Sequence, residues 1–122
     1  MFSVSNIELM NSYLLLFRAS YSAIAATSAE EMQKRMDVWT AWIGGIAAAG
    51  ALVGGNHLAP TGKVAHSGGA VTEGPDTTDN TSVLGYIIVK AADYDGALAI
   101  AQKCPILAGE GNTVEVRELA AM

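Results

Sequence analysis

The stretch Ser82-Val83-Leu84-Gly85-Tyr86-Ile87-Ile88-Val89-Lys90-Ala91 decides the reading of the fold. Its β-branched, aromatic and aliphatic side chains are the composition of a strand, so a strand is predicted over Ser82 to Ala91. Successive side chains of a strand point to opposite faces of the sheet. Here both alternating sets are apolar: Leu84, Tyr86 and Ile88 on one side, Val83, Ile87 and Val89 on the other. Such a strand wants cover on both faces.

Downstream, Asp93 is placed to cap a helix whose positions Ala97, Leu98, Ala101 and Cys104 face inward, with Pro105 as its terminator. Thr113 to Leu119 alternates Val114 and Val116 with Glu115 and Arg117, the pattern of a strand with one wet side. Upstream, glycine, proline, serine and threonine dominate from Ala51 to Asp79, with short strand-like pieces at Leu52-Val53, Lys63 to His66 and Ala70 to Thr72. Ser67-Gly68-Gly69 suits a tight hairpin turn bracketed by Pro60 and Pro75, and a turn centred on Gly68 sets Lys63 opposite Glu73. Gly54, Gly55 and Gly74 are expected where the backbone needs positive φ or a close approach.

Further upstream, Ser28 and Glu31 match a capping box that opens a helix. Met32, Met36, Trp39, Ile43 and Ile46 then recur at helical spacing on one stripe, widened by Trp42. Gly44-Gly45 weaken that helix by about 1 kcal/mol each relative to alanine, and Gly50 is its left-handed stop. Met10 to Arg18 reads as a buried strand, again apolar on both sides, with Leu14 and Leu16 against Tyr13, Leu15 and Phe17. The order is therefore β-α-β(hairpin)-β-α-β, a single domain over residues 1–122.

Two helices in that order lie on one face of an antiparallel sheet, a ferredoxin-like α+β arrangement with an extra hairpin. The opposite face, apolar along both long strands, is expected to pack against a second copy across a two-fold axis, making a homodimeric two-sheet barrel.

Composition agrees with a folded, soluble chain: 51% of residues are hydrophobic and 16% charged, enough apolar material to offset the ordering entropy. The net charge of −5 and the scattered cations make nucleic acid and anionic membranes poor partners. The run Tyr13 to Phe17 lacks the basic start of a secretory signal, and charges interrupt every candidate membrane span. The single cysteine, Cys104, leaves a free thiol that suits a reducing cytoplasm.

In this order, Trp42, Ala49-Gly50-Ala51-Leu52-Val53-Gly54-Gly55, Leu58-Ala59-Pro60, Val71-Thr72-Glu73-Gly74-Pro75, Gly85-Tyr86-Ile87-Ile88, Ala97-Leu98, Cys104-Pro105-Ile106 and Val114-Glu115-Val116-Arg117 make a pattern that covers nearly the whole chain. It resembles the YCII-related family, in particular the branch named for an Asp-Gly-Pro-Phe motif. The resemblance implies a dimeric α+β barrel in the cytoplasm with a pocket near the dimer interface. Related barrels include ring-handling isomerases, dehydrohalogenases and monooxygenases. Three positions depart from the family's pattern. Trp39 stands where its histidine would align, the motif reads Glu73-Gly74-Pro75-Asp76, and Thr78 and Asn80 replace the downstream Glu and Lys.

Candidate chemistry centres on His57, which follows Gly54-Gly55 in what reads as a loop, with Glu73 and Asp76 in the loop after the hairpin. An imidazole beside a carboxylate can move protons. Against that reading, His57 is a solvated loop histidine and Glu73 pairs with Lys63. His66 reads as structural or exposed. The Trp39/Trp42 pair could stack an aromatic ligand, against a core role on the helix stripe, and Arg18, at the end of a buried strand, needs either a carboxylate or a ligand anion. Cys104 sits at a helix C-terminus, where the dipole disfavours a thiolate.

No phosphate-cradling or dinucleotide-binding glycine pattern occurs, and two histidines nine apart match no metal spacing. Two functions follow as expectations. One is a cofactor-free enzyme, isomerase- or lyase-like, with His57, Glu73 and Asp76 as acid/base groups in a pocket lined by Arg18, Trp39 and Tyr86. The other is a non-catalytic homodimer that binds a metabolite or modulates a partner.

Overall fold

In a computed structural model that describes residues 10–120, alternation along β1 (Asn11–Ala19) sets the architecture. Tyr13, Leu15, Phe17 and Ala19 are buried on one face, while Leu14, Leu16 and Arg18 are half-buried on the other. The chain continues through the short helix α1 (Tyr21–Ala25), the long helix α2 (Ala29–Ala48) and β2 (Leu52–His57). A small hairpin of β3 (Lys63–Ala65) and β4 (Val71–Glu73) follows, then β5 (Ser82–Ala91), α3 (Tyr94–Ala101), a 3-10 turn over Pro105–Ala108 and β6 (Thr113–Glu118). The four-stranded antiparallel sheet has the order β2-β5-β1-β6, with the β3-β4 hairpin as a separate ribbon. This is the ferredoxin-like α+β arrangement expected from the sequence.

Local signals placed the helices. Ser28 Oγ accepts from the Glu31 N–H at 3.1 Å. The Glu31 carboxylate turns to Arg35, 3.7 Å away, rather than reaching back, so half of the capping box forms. At the other end Gly50 takes φ 76°, and the Ala51 N–H donates to Ile46 O at 3.1 Å, closing α2 with a Schellman-type bond. Asp93 Oδ1 accepts from the Gly96 N–H at 2.8 Å and caps α3. The helix α1 was not foreseen; Ser20 caps it by accepting from the Ala23 N–H.

The core lies between the sheet and the helices. Leu15 and Val89, both 0% exposed, sit at its centre beside Tyr13, Phe17, Ile87 and Ala91, with Ile46, Ala97, Ala101 and Cys104 above them. Burying a side chain such as Leu15 completely is worth about 1.5–3 kcal/mol. Leu98, expected to face inward, is exposed instead, because α3 turns Ala97, Ile100 and Ala101 to the core.

Two strands differ from the sequence reading. The register of β1 against β5 slips between Phe17 and Arg18, so Phe17 faces Gly85 and Arg18 faces Val83. That bulge moves Val83 from the face it would share with Ile87 to the one it shares with Arg18. Glycine also does not end β2 after Val53. The strand runs on to His57, which is thus a strand residue rather than a loop one. Gly55 lets β2 lie against β5: a Cβ there would collide with the Tyr86 carbonyl oxygen and come within 2.8 Å of Ile87 Cα. Gly74 has φ 83°, as anticipated, whereas Gly54 has neither a positive φ nor any atom within 4 Å of where a Cβ would sit.

Gly55→Ala should lower stability by about 1–3 kcal/mol in urea unfolding, the usual cost of forcing extra volume against backbone. Gly45→Ala should raise it by about 0.5–1 kcal/mol, because a Cβ there meets nothing within 4 Å and alanine favours the helix.

Candidate functional site

Three aromatic rings frame the site. Phe17 meets Trp39 at 5.0 Å and Trp42 at 5.9 Å between ring centroids, and the two tryptophans lie 5.4 Å apart, all edge to face. Each such contact adds about 0.5–1.5 kcal/mol to burial. The tryptophans then divide their roles. Trp42 Nε1 donates to Ile100 O at 3.2 Å and ties α2 to the residues of α3. Trp39 instead turns toward His57, with ring centroids 6.2 Å apart and the planes tilted by 39°.

Two cavities adjoin at this wall, since Phe17, Met36, Trp39 and His57 line both. The smaller, about 530 Å³, runs between Thr40, Ile43 and Gly44 of α2 and the edge strand β2, with Tyr86 and Ile87 behind. The larger, about 670 Å³, lies between the first half of α2 and the ends of β1 and β5. Its walls include Met32, Leu84 and Ile106, and Glu31, Lys34 and Arg35 contribute charge. Both volumes are in the range of small-molecule sites.

The residues singled out from sequence fall into two groups. His57 is exposed at the end of β2 and lines both cavities, as does Trp39. Tyr86 borders the smaller cavity and pairs with Leu16 and Asn56 across the sheet. Glu73 and Asp76 are exposed, and neither lines either of these two cavities. Glu73 Oε1 accepts from Lys63 Nζ at 2.8 Å, the cross-strand pair that the hairpin turn predicts. Arg18 is half-buried on the helix-free sheet face opposite Val83 and Thr113, makes no ion pair among the described residues and lines neither cavity. His66 is exposed with Nε2 2.9 Å from Thr72 Oγ1. The structure thus brings Trp39 and His57 together, turns the Tyr86 side chain to the helix-free face with Leu16, and leaves Glu73, Asp76 and Arg18 elsewhere.

Cys104 is buried, and its thiol is pushed up to about 11, chiefly by burial, while a backbone hydrogen bond with Ile106 pulls the other way. The cause is thus desolvation rather than the helix dipole. Among the described residues no three His, Cys, Asp or Glu side chains gather to hold a metal ion. No described helix is long and apolar enough to cross a membrane.

Sequence reading passed over Met36, which is exposed and lines both cavities although its stripe reads as core. It also passed over Lys34 and Arg35 as scattered charges and over Ile106 beyond the terminating proline. The available signal was adjacency on α2: Lys34 and Arg35 fall between Met32 and Met36.

Residues 13–120 match the model of a family described as the YCII-related domain. Among curated proteins none matches the chain.

Trp42→Phe should cost about 1 kcal/mol or more in urea unfolding, from the lost hydrogen bond to Ile100 O and the part-buried carbonyl left behind. Trp39→Phe should cost less, because no hydrogen bond is lost. Cys104 should resist an aromatic disulfide reagent in the folded protein and react on unfolding. Its raised thiol favours the folded state below pH 9, where both states hold the proton; that contribution should fade as pH rises from 9.0 toward 11, visible as a falling melting temperature.

Proposed function

The chain belongs to the YCII-related domain family, and we propose that within it this protein is a homodimeric small-molecule-binding domain. One observation carries the binding reading: the cavities beside Trp39 are walled mainly by apolar and aromatic side chains, and neither Glu73 nor Asp76 stands with His57 in them. A site of this make-up holds a ligand by burial and stacking. The expected pairing of His57 with Glu73 or Asp76 for proton transfer has no support from these linings.

The dimer is supported by the sheet face that carries no helix. Leu14, Leu16, Tyr86, Ile88 and Val83 lie together on it, half-buried, between the charged residues Arg18, Lys90 and Arg117. An apolar centre with a charged rim is the anatomy of a protein interface. A buried free thiol fits a reducing compartment, and we assign the protein to the cytoplasm on that ground.

Acid/base chemistry remains a second reading for one reason, that His57 lines both cavities. Screening small aromatic acids and lactones by tryptophan fluorescence separates the two. Under the binding reading a ligand quenches Trp39 and is recovered unchanged, and Trp39→Ala abolishes the response. Under the catalytic reading the compound is converted, and His57→Ala lowers turnover about 100-fold or more with the dimer intact. Conversion with that loss would overturn the binding reading.

Leu16→Asp should convert a two-chain mass to a one-chain mass in light scattering at micromolar concentration, since a buried unpaired carboxylate cannot be accommodated at such an interface. Wild-type protein with the mass of one chain would refute the dimer.

A further inference from the structure

We propose that the larger cavity selects an amphiphilic monoanion, an apolar body bearing one anionic head. This rests on the binding reading above and adds the chemistry of the ligand. The apolar half of the argument is the wall: Met32, Met36 and Trp39 at helical spacing on α2 face Phe17, Leu84 and Ile106. Two methionines make an adaptable surface that suits aliphatic and aromatic bodies alike.

Charge selects the head. Lys34 and Arg35 border the cavity with a single carboxylate, Glu31, so the local balance is positive in a chain whose net charge is −5. The Glu31 carboxylate lies 3.7 Å from Arg35 Nε, and Arg35 also donates to Thr27 Oγ1 at 3.4 Å. Lys34 makes no ion pair among the described residues, which leaves one uncompensated positive charge at the rim. Most of the other cations are committed elsewhere. Lys63 pairs with Glu73, Arg117 with Glu115, and Arg18 and Lys90 occupy the opposite sheet face. The larger cavity is thus the concave apolar surface on which positive charge outnumbers negative, and one negative charge balances it. An apolar body filling the cavity would present its head to Lys34 and Arg35, where charge-assisted hydrogen bonds form with partial screening by solvent.

Octanoate, octanol and octylammonium share one apolar body and differ in the head, so titrating the intact protein with each isolates the charge term. Tryptophan fluorescence reads binding, since Trp39 and Trp42 are the two tryptophans of the chain. Octanoate should bind about fivefold or more tightly than octanol at low salt, octylammonium more weakly than either, and 0.5 M NaCl should shrink the octanoate advantage. Lys34→Gln, and more so the double variant Lys34→Gln/Arg35→Gln, should bring octanoate down to the octanol level and leave octanol unchanged. Lys63→Gln in the hairpin should alter neither.

Equal binding of octanoate and octanol to the wild type would overturn the anion selection and leave the binding domain standing. Tighter binding of octylammonium would do the same. No response to any of the three, or to the aromatic acids and lactones, would remove both readings. If octanoate instead halves the mass in light scattering, a second copy occupies the cavity and the proposal falls.

Discussion

Phe17 holds the helical layer to the sheet. The helix α2 has twenty residues, of which Ile46 is the one that is buried, so it is attached along a narrow line rather than a broad face. On that line Phe17 makes edge-to-face contacts with both Trp39 and Trp42. The second half of the helix is then secured by Ile46, by the Trp42 hydrogen bond and by the Gly50 closure. Its first half has no comparable anchor: Met32 is half-buried and Met36 exposed. The larger cavity is the space beneath that less firmly held half, and the wall dividing it from the smaller one is Phe17, Trp39 and His57.

The same strand that presents Phe17 to the helices presents Leu14, Leu16 and Arg18 to the other side. Because a strand alternates strictly, β1 cannot be apolar on both faces without leaving one of them open in a domain whose helices all lie on the other. Packing and the proposed assembly thus draw on one nine-residue segment, and a single-register slip would exchange its two faces.

Much of this was legible in the sequence because it is local. The strand Ser82–Ala91, the caps at Ser28 and Asp93, the stop at Gly50 and the Lys63-Glu73 pair depend on residues close in sequence or on one turn. The misread features depend on what lies across the sheet. Val83 changes face through a bulge that no alternation within β5 reveals. The extension of β2 to His57 needs the backbone of β5 at Gly55. Glu31 leaves its capping partner for Arg35, a neighbour one turn on. For the site, Trp39 and His57 were recognisable from residue type. The separation of His57 from Glu73 and Asp76 was not, because the path of the intervening loop and hairpin decides it rather than the number of residues.

The central position of β1 has a consequence for the birth of the molecule. As the chain leaves the ribosome, β1 emerges before either strand that will flank it, since β5 and β6 are the last strands to be made. Until they arrive, a segment rich in leucine and aromatic residues must wait unpaired, and pairings so distant along the chain close slowly. The helix α2 follows directly and can shelter Phe17 in the interval, but it offers nothing to Leu14 and Leu16. The nascent chain is therefore most prone to mispairing before β5 is complete, and a truncation ending ahead of Ser82 would be a poor folding unit.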